Sequence, residues 1–145
     1  MSTYSTGLRN GLAVVGSLRS LLANSEVRIY SGPVPATADA PIAGSNVLLV
    51  KIKPESGGFN FDSVAVDGTV TKVPSDILQG DCLASGEATF YRHVLQSDTD
   101  AASSSAYRIQ GTVGLVGTDM ELNSTSLISG QPQKLDYYSH TFLAQ

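Results

Sequence analysis

Apolar residues in the first two dozen positions fall on one side of a helical wheel. Leu8, Leu12, Val15, Leu18 and Leu22 recur at steps of four, three, three and four, the spacing that brings side chains onto one helix face. Thr6 stands where an N-cap would, and Asn24 where such a helix stops. The pattern predicts one helix over residues 8–23 behind a short arm, residues 1–7. Gly11 and Gly16 each cost about 1 kcal/mol relative to Ala inside a helix, so this one needs a surface to lie on.

From Val27 the period changes to two. Val27–Ser31 alternates and is stopped by Gly32-Pro33 and Pro35. Val47–Ile52 is a continuous apolar run of strand length, and Val64–Val66 and Thr69–Thr71 flank Asp67-Gly68, a strong hairpin signal. Glu87–Leu95 is rich in strand formers. In Tyr107–Leu115, Tyr107, Ile109, Gly111 and Val113 alternate with Arg108, Gln110 and Thr112, the pattern of a half-buried strand. Met120–Leu122, Ser126–Ile128 and Lys134–Leu143 complete the series. Gln96–Ser105, with three consecutive serines, reads as an exposed tip, and residues 53–62 as a loop in which Phe59 and Phe61 alternate. Short strands at roughly ten-residue spacing predict a mainly β fold. The expected architecture is an antiparallel, jelly-roll-like β-sandwich over residues 27–145, with one N-terminal helix, in a single domain over residues 1–145.

Composition narrows the function. The 145 residues are 41% apolar but only 15% charged, against about 25% charged in an ordinary soluble domain. Small neutral residues fill the difference: 19 Ser, 11 Thr and 14 Gly. The net charge of −4 argues against direct nucleic-acid binding, and no apolar run is long enough to span a bilayer. The first residues lack the pattern of a secretion signal. A lone Cys82 excludes an intramolecular disulfide and a thiolate metal cage.

Catalytic patterns are missing. His93 and His140 lie in predicted strands without the spacing of a zinc site. Asp98 and Asp100 begin like a calcium loop that Ala101-Ala102 does not continue. No serine sits in a Gly-x-Ser-x-Gly turn, and the glycines do not form a phosphate cradle. Asn123-Ser124-Thr125 matches a glycosylation sequon but reads as a turn. The residues predict no enzyme, no cofactor and no metal. The six tyrosines are the enriched large side chains and offer contact area at low entropy cost. The candidate protein–protein contacts are Tyr4, Leu8, Arg9, Tyr30 and Tyr138, with Ser2–Leu8 expected to be ordered mainly by a neighbour.

Several segments, in order, carry a resemblance. They are Tyr4–Asn10, Arg28–Gly32 with Pro35–Ala40, Gly86–Arg92, Gln110–Gly114, and Asp119–Ser126 with Gly130-Gln131; residues 47–81 match nothing in it. Together they resemble a family of small bacteriophage virion proteins, the capsid cement or decoration proteins. The resemblance implies a jelly-roll-like sandwich without catalysis that sits on the outside of the head and holds neighbouring major capsid subunits together. It implies a homo-oligomer, dimer or trimer, made in the bacterial host's cytoplasm and carried on the virion. Two other classes stay open: a tail, collar or fibre-adaptor protein, and a carbohydrate-binding β-sandwich using Tyr137-Tyr138.

Overall fold

The computed structural model describes residues 2–142. Its elements are β1 (Thr3–Tyr4), α1 (Thr6–Val14), α2 (Leu18–Leu21), β2 (Ser25–Ser31), β3 (Val47–Ile52), β4 (Thr69–Thr71) and β5 (Leu78–Asp81). They continue with β6 (Gly86–Glu87), β7 (Phe90–Leu95), β8 (Arg108–Gly114), β9 (Met120–Glu121), β10 (Ser126–Leu127), β11 (Pro132–Leu135) and β12 (Ser139–Thr141). The fold is mainly β. One antiparallel sheet runs β1-β8-β7-β2-β3, with β9 added in parallel beside β8, and three two-stranded ribbons pair β10 with β6, β11 with β5 and β12 with β4. Among the described residues no helix is long and apolar enough to cross a membrane.

The predicted single helix is two. Val15 caps the end of α1, and the Ser17 side chain accepts from Ser20 N–H to start α2, so Gly16-Ser17 interrupts what the apolar spacing joined. Val15 is consequently 67% exposed while Leu8, Leu18 and Leu22 are buried. The N-cap of α1 is Ser5, not Thr6. Thr6 instead bonds Asp39 twice, through N–H (2.8 Å) and Oγ1 (2.6 Å).

The arm is tied into its own chain. Thr3 and Tyr4 pair with Gln110 and Ile109 at the sheet edge. Ser5, only 1% exposed, accepts from Leu8 N–H (3.1 Å) and Arg108 N–H (3.0 Å) and donates to the Ala106 carbonyl (2.7 Å). Gly7 lets the chain come this close, since a Cβ there would sit 2.4 Å from the Ser105 carbonyl. One buried hydroxyl therefore ties β1, α1 and β8 together. Ser5→Ala strands these buried partners and is expected to cost roughly 2–3 kcal/mol, seen as a lower urea midpoint at unchanged slope.

Asp67 (φ 49°) and Gly68 (φ 74°) form the predicted tight turn, closed by the Val66–Thr69 bridge. The predicted strand Glu87–Leu95 is broken into β6 and β7, and Lys134–Leu143 into β11 and β12. Leu143 lies outside the described residues.

Strand alternation gives the main sheet two different faces. One is apolar: Val27, Ile29, Val50, Ile52 and Ile109 pack with Leu8, Leu22, Phe59 and Phe61. The other carries Glu26, Arg28, Arg92, Arg108 and Gln110, which the fold buries to 4% exposure or less although Arg108 and Gln110 read as the polar side of a half-buried strand. The loops 32–46 and 96–107 cover them. Arg108 forks onto Asp98 (Nε–Oδ2 2.7 Å, Nη2–Oδ1 2.8 Å) and donates to the carbonyls of Ala38 and Ala101. Arg92 donates to Gln110 Oε1 (2.8 Å) and to the carbonyls of Thr37 and Ala40. Arg28 reaches the carbonyls of Asp98 and Gln96 and pairs with Asp100 at 3.2 Å. Loops without regular structure have backbone carbonyls to satisfy, and here guanidiniums do it.

Candidate interaction surface

Tyr4 leaves β1 on the apolar side, half-buried, and meets His140 of β12 with ring centroids 5.0 Å apart. His140 in turn meets Phe142 edge-on at 5.5 Å. The row continues along the β4–β12 ribbon: Phe142 N–H donates to the Gly68 carbonyl (2.8 Å) at the hairpin. Next to that turn Val66 is 67% exposed, and Phe142 is 47% exposed. Burial lowers the His140 imidazole below its ordinary range, so the row is uncharged at neutral pH. Half-buried Tyr4 and His140 and exposed Phe142 and Val66, with the Asp67 carboxylate of the turn beside them, form a surface of few charges to desolvate.

The other candidate contacts divide by burial. Arg9 is exposed on α1, where Nη2 donates to Thr6 Oγ1 (3.1 Å). Leu8, Tyr30 and Tyr138 are not surface groups; they are 0%, 1% and 7% exposed. Leu8 faces the core because α1 lies flat on it. Tyr30 stacks on Phe90 (5.0 Å) beneath the loops and donates to Asp100 Oδ2 (2.7 Å). Burial and then that bond raise its phenol. Strand alternation at Tyr30 and the inward turn at Tyr138 decide this, and neither is visible from tyrosine content.

Asp98 and Asp100, read from sequence as the start of a calcium loop, serve Arg108, Arg28 and Tyr30. Burial by itself raises the Asp98 carboxyl, but the bonds from Arg108 and Asp100 N–H more than offset this and hold it below the ordinary carboxylate range.

His93 and Tyr138 meet inside the molecule, which sequence reasoning missed. His93 Nε2 is 2.6 Å from Ser25 Oγ, and Nδ1 is 2.9 Å from the Tyr138 hydroxyl. Ser25 Oγ donates to the Leu22 carbonyl (2.7 Å), which fixes the direction of the chain. Tyr138 donates to Nδ1, and Nε2–H donates to Ser25. Phe59 (4.7 Å), Phe61 (5.6 Å) and Tyr138 (5.3 Å) ring the imidazole. The only sequence signal was Phe59 and Phe61 at strand spacing.

A cleft of about 490 Å³ lies between Tyr91, Asp119, Glu121 and Tyr137. Tyr137 is 68% exposed, whereas Tyr138, its sequence neighbour, is 7% exposed and borders the same cleft from the core side. Glu121 accepts from Gly117 N–H and Asp119 from Thr112.

The fold is a mainly β scaffold with the Tyr4–His140–Phe142 row at its surface. No family model, no curated protein and no solved structure matches the chain.

Proposed function

We propose that the chain is a structural protein of a bacteriophage particle, a cement or decoration protein that seats on the outer face of the head and bridges major capsid subunits. The row Tyr4–His140–Phe142 with Val66 is a contact surface in this reading. The observation that carries it is that row: aromatic groups packed on one another at 5.0 and 5.5 Å, half-buried at Tyr4 and His140 and exposed at Phe142. The sparse charge and the resemblance of the opening segment, Tyr4–Asn10, support the same reading, and a dimer or trimer belongs to it.

A reconstruction of the particle tests the placement. Density over the shell, in copies scaling with the capsid subunits, is the expected result; a ring of copies at the neck or tail overturns it. For the surface, Val66→Asp touches an exposed side chain and is expected to change stability by no more than about 0.5 kcal/mol. It should nevertheless abolish attachment to heads that lack the protein, read by co-sedimentation. Attachment at wild-type level removes the row from the interface. Deleting residues 1–7 is a poor test, because Ser5 and Tyr4 are built into the fold.

A further inference from the structure

We propose that the Tyr138–His93–Ser25 chain is an acid-released latch that holds the C-terminal flap, residues 136–142, over the apolar face of the sheet. Of residues 136–142 only Tyr138 is buried. The flap's remaining ties lie at the surface: the β12–β4 ladder, Lys72 N–H to the Tyr138 carbonyl (3.0 Å), the Thr69–Thr141 hydroxyl pair (2.8 Å) and the Tyr4–His140 ring contact. Tyr138 is its one buried anchor, and the hydroxyl of that anchor meets His93 Nδ1.

With the Ser25 proton on the Leu22 carbonyl, Ser25 accepts from Nε2–H and Nδ1 accepts from Tyr138, whose hydroxyl also lies against Tyr91. Protonation turns Nδ1 into a donor, so the Tyr138 O–H must turn away from it. It also places a charge where no counter-ion waits. The groups facing His93 are Ser25 and Val27 from β2, Ile109 from β8, Phe59 and Phe61 from the covering loop, and Tyr138 from the flap. Tyr91 stands beyond Tyr138 at 6.3 Å, with Asp119 behind it. The titratable groups among these nearest neighbours are phenols. Burial holds Tyr138 well above its ordinary value, and Tyr91 is pushed up to about 12, so both are neutral in acid and neither balances an imidazolium.

Burial lowers the His93 imidazole to about 3. A base depressed in the closed state binds fewer protons there than in the open state. Closure is therefore fully favoured above the ordinary value near 6.5 and weakens as pH falls from there towards about 3. Swinging Tyr138 out hydrates the ring while leaving β2, β7 and β8 paired. It also uncovers Phe59 and Phe61. The latch does not depend on what the protein docks to.

Amide hydrogen exchange on the whole protein tests this, with rates corrected for the intrinsic effect of pH. Between pH 7 and 4.5 the Lys72 and β12 amides are expected to lose protection on the order of 100-fold, while β7 and β8 amides keep theirs. His93→Gln supplies an acceptor and a donor that do not titrate, and should abolish the loss. Three results overturn the latch: Lys72 protection independent of pH, Lys72 exchanging in step with β7 and β8, or the same loss in His93→Gln. If that variant does not fold, the wild-type His93 ring is followed by NMR. A titration midpoint coinciding with Lys72 opening supports the latch, and two separate midpoints overturn it.

Discussion

Arg108→Ala is expected to lower the unfolding free energy by roughly 3–5 kcal/mol, the cost of breaking a buried ion pair from one side. The loss is not mainly that of an attraction. Arg108 is 1% exposed and its partner Asp98 has a side chain 4% exposed, so truncation leaves a carboxylate in a dry layer. The Ala38 and Ala101 carbonyls lose their donor as well, and with them the 32–46 and 96–107 loops lose a common tie. Lysine does not replace it, since one ammonium cannot make the fork to Asp98 and reach two carbonyls. The double variant Arg108→Met, Asp98→Leu removes both charges and should recover much of the loss. Urea midpoints of the wild type, both single variants and the double variant close the cycle. A single-variant effect below about 1 kcal/mol would mean the layer is wetter and more adaptable than its burial implies. Asp98, held below the ordinary carboxylate range, adds stability that is present above pH 4 and is lost only as pH falls through its lowered value.

That layer marks where the sequence stopped being readable. Strand positions followed from pattern: Arg108–Gly114 lies where period two put it, and Val47–Ile52 where an apolar run of strand length did. Alternation also implied that one parity of β8 faces water, and Arg108 and Gln110 look like an exposed face by residue type. What reverses this is two loops that contribute carbonyls to the same side, from about seventy residues away in the case of Ala38. A single sequence holds no sign of such long-range pairing. The helix failed differently. Gly16-Ser17 is a local stop, but the apolar steps across it fit one continuous face, so the periodicity outweighed the cap. The interaction surface was half legible. Tyr4 lies in β1 and meets His140 in the row; His140 and Phe142 join it only because β12 pairs with β4, a contact between segments some seventy residues apart.

Residues 53–62, which carry no resemblance and read as a loop, supply the centre of the core. Phe59 is fully buried. It stands edge-on to Phe61 (4.9 Å), His93 (4.7 Å) and Tyr138 (5.3 Å), the T-shaped arrangement that aromatic quadrupoles favour. Its backbone is pinned as well, exchanging hydrogen bonds with Ser25 (Phe59 N–H to Ser25 O, 2.7 Å; Ser25 N–H to Phe59 O, 3.1 Å). The ring therefore cannot follow a shrinking cavity, and Phe59→Ala should cost the upper part of the usual range, about 3–5 kcal/mol. A domain of this size has only about 5–15 kcal/mol in all, so the variant should unfold at markedly lower urea and temperature. Phe59→Leu keeps much of the volume and loses the edge-on contacts, and should cost no more than about half as much. Thermal melts followed by tyrosine fluorescence read both, since the chain has no Trp. Equal losses for Ala and Leu would assign the stability to aromatic geometry rather than to filled space. A small loss for Ala would mean that the 53–62 loop collapses inward, and that its hydrogen bonds to Ser25 do not hold it in place.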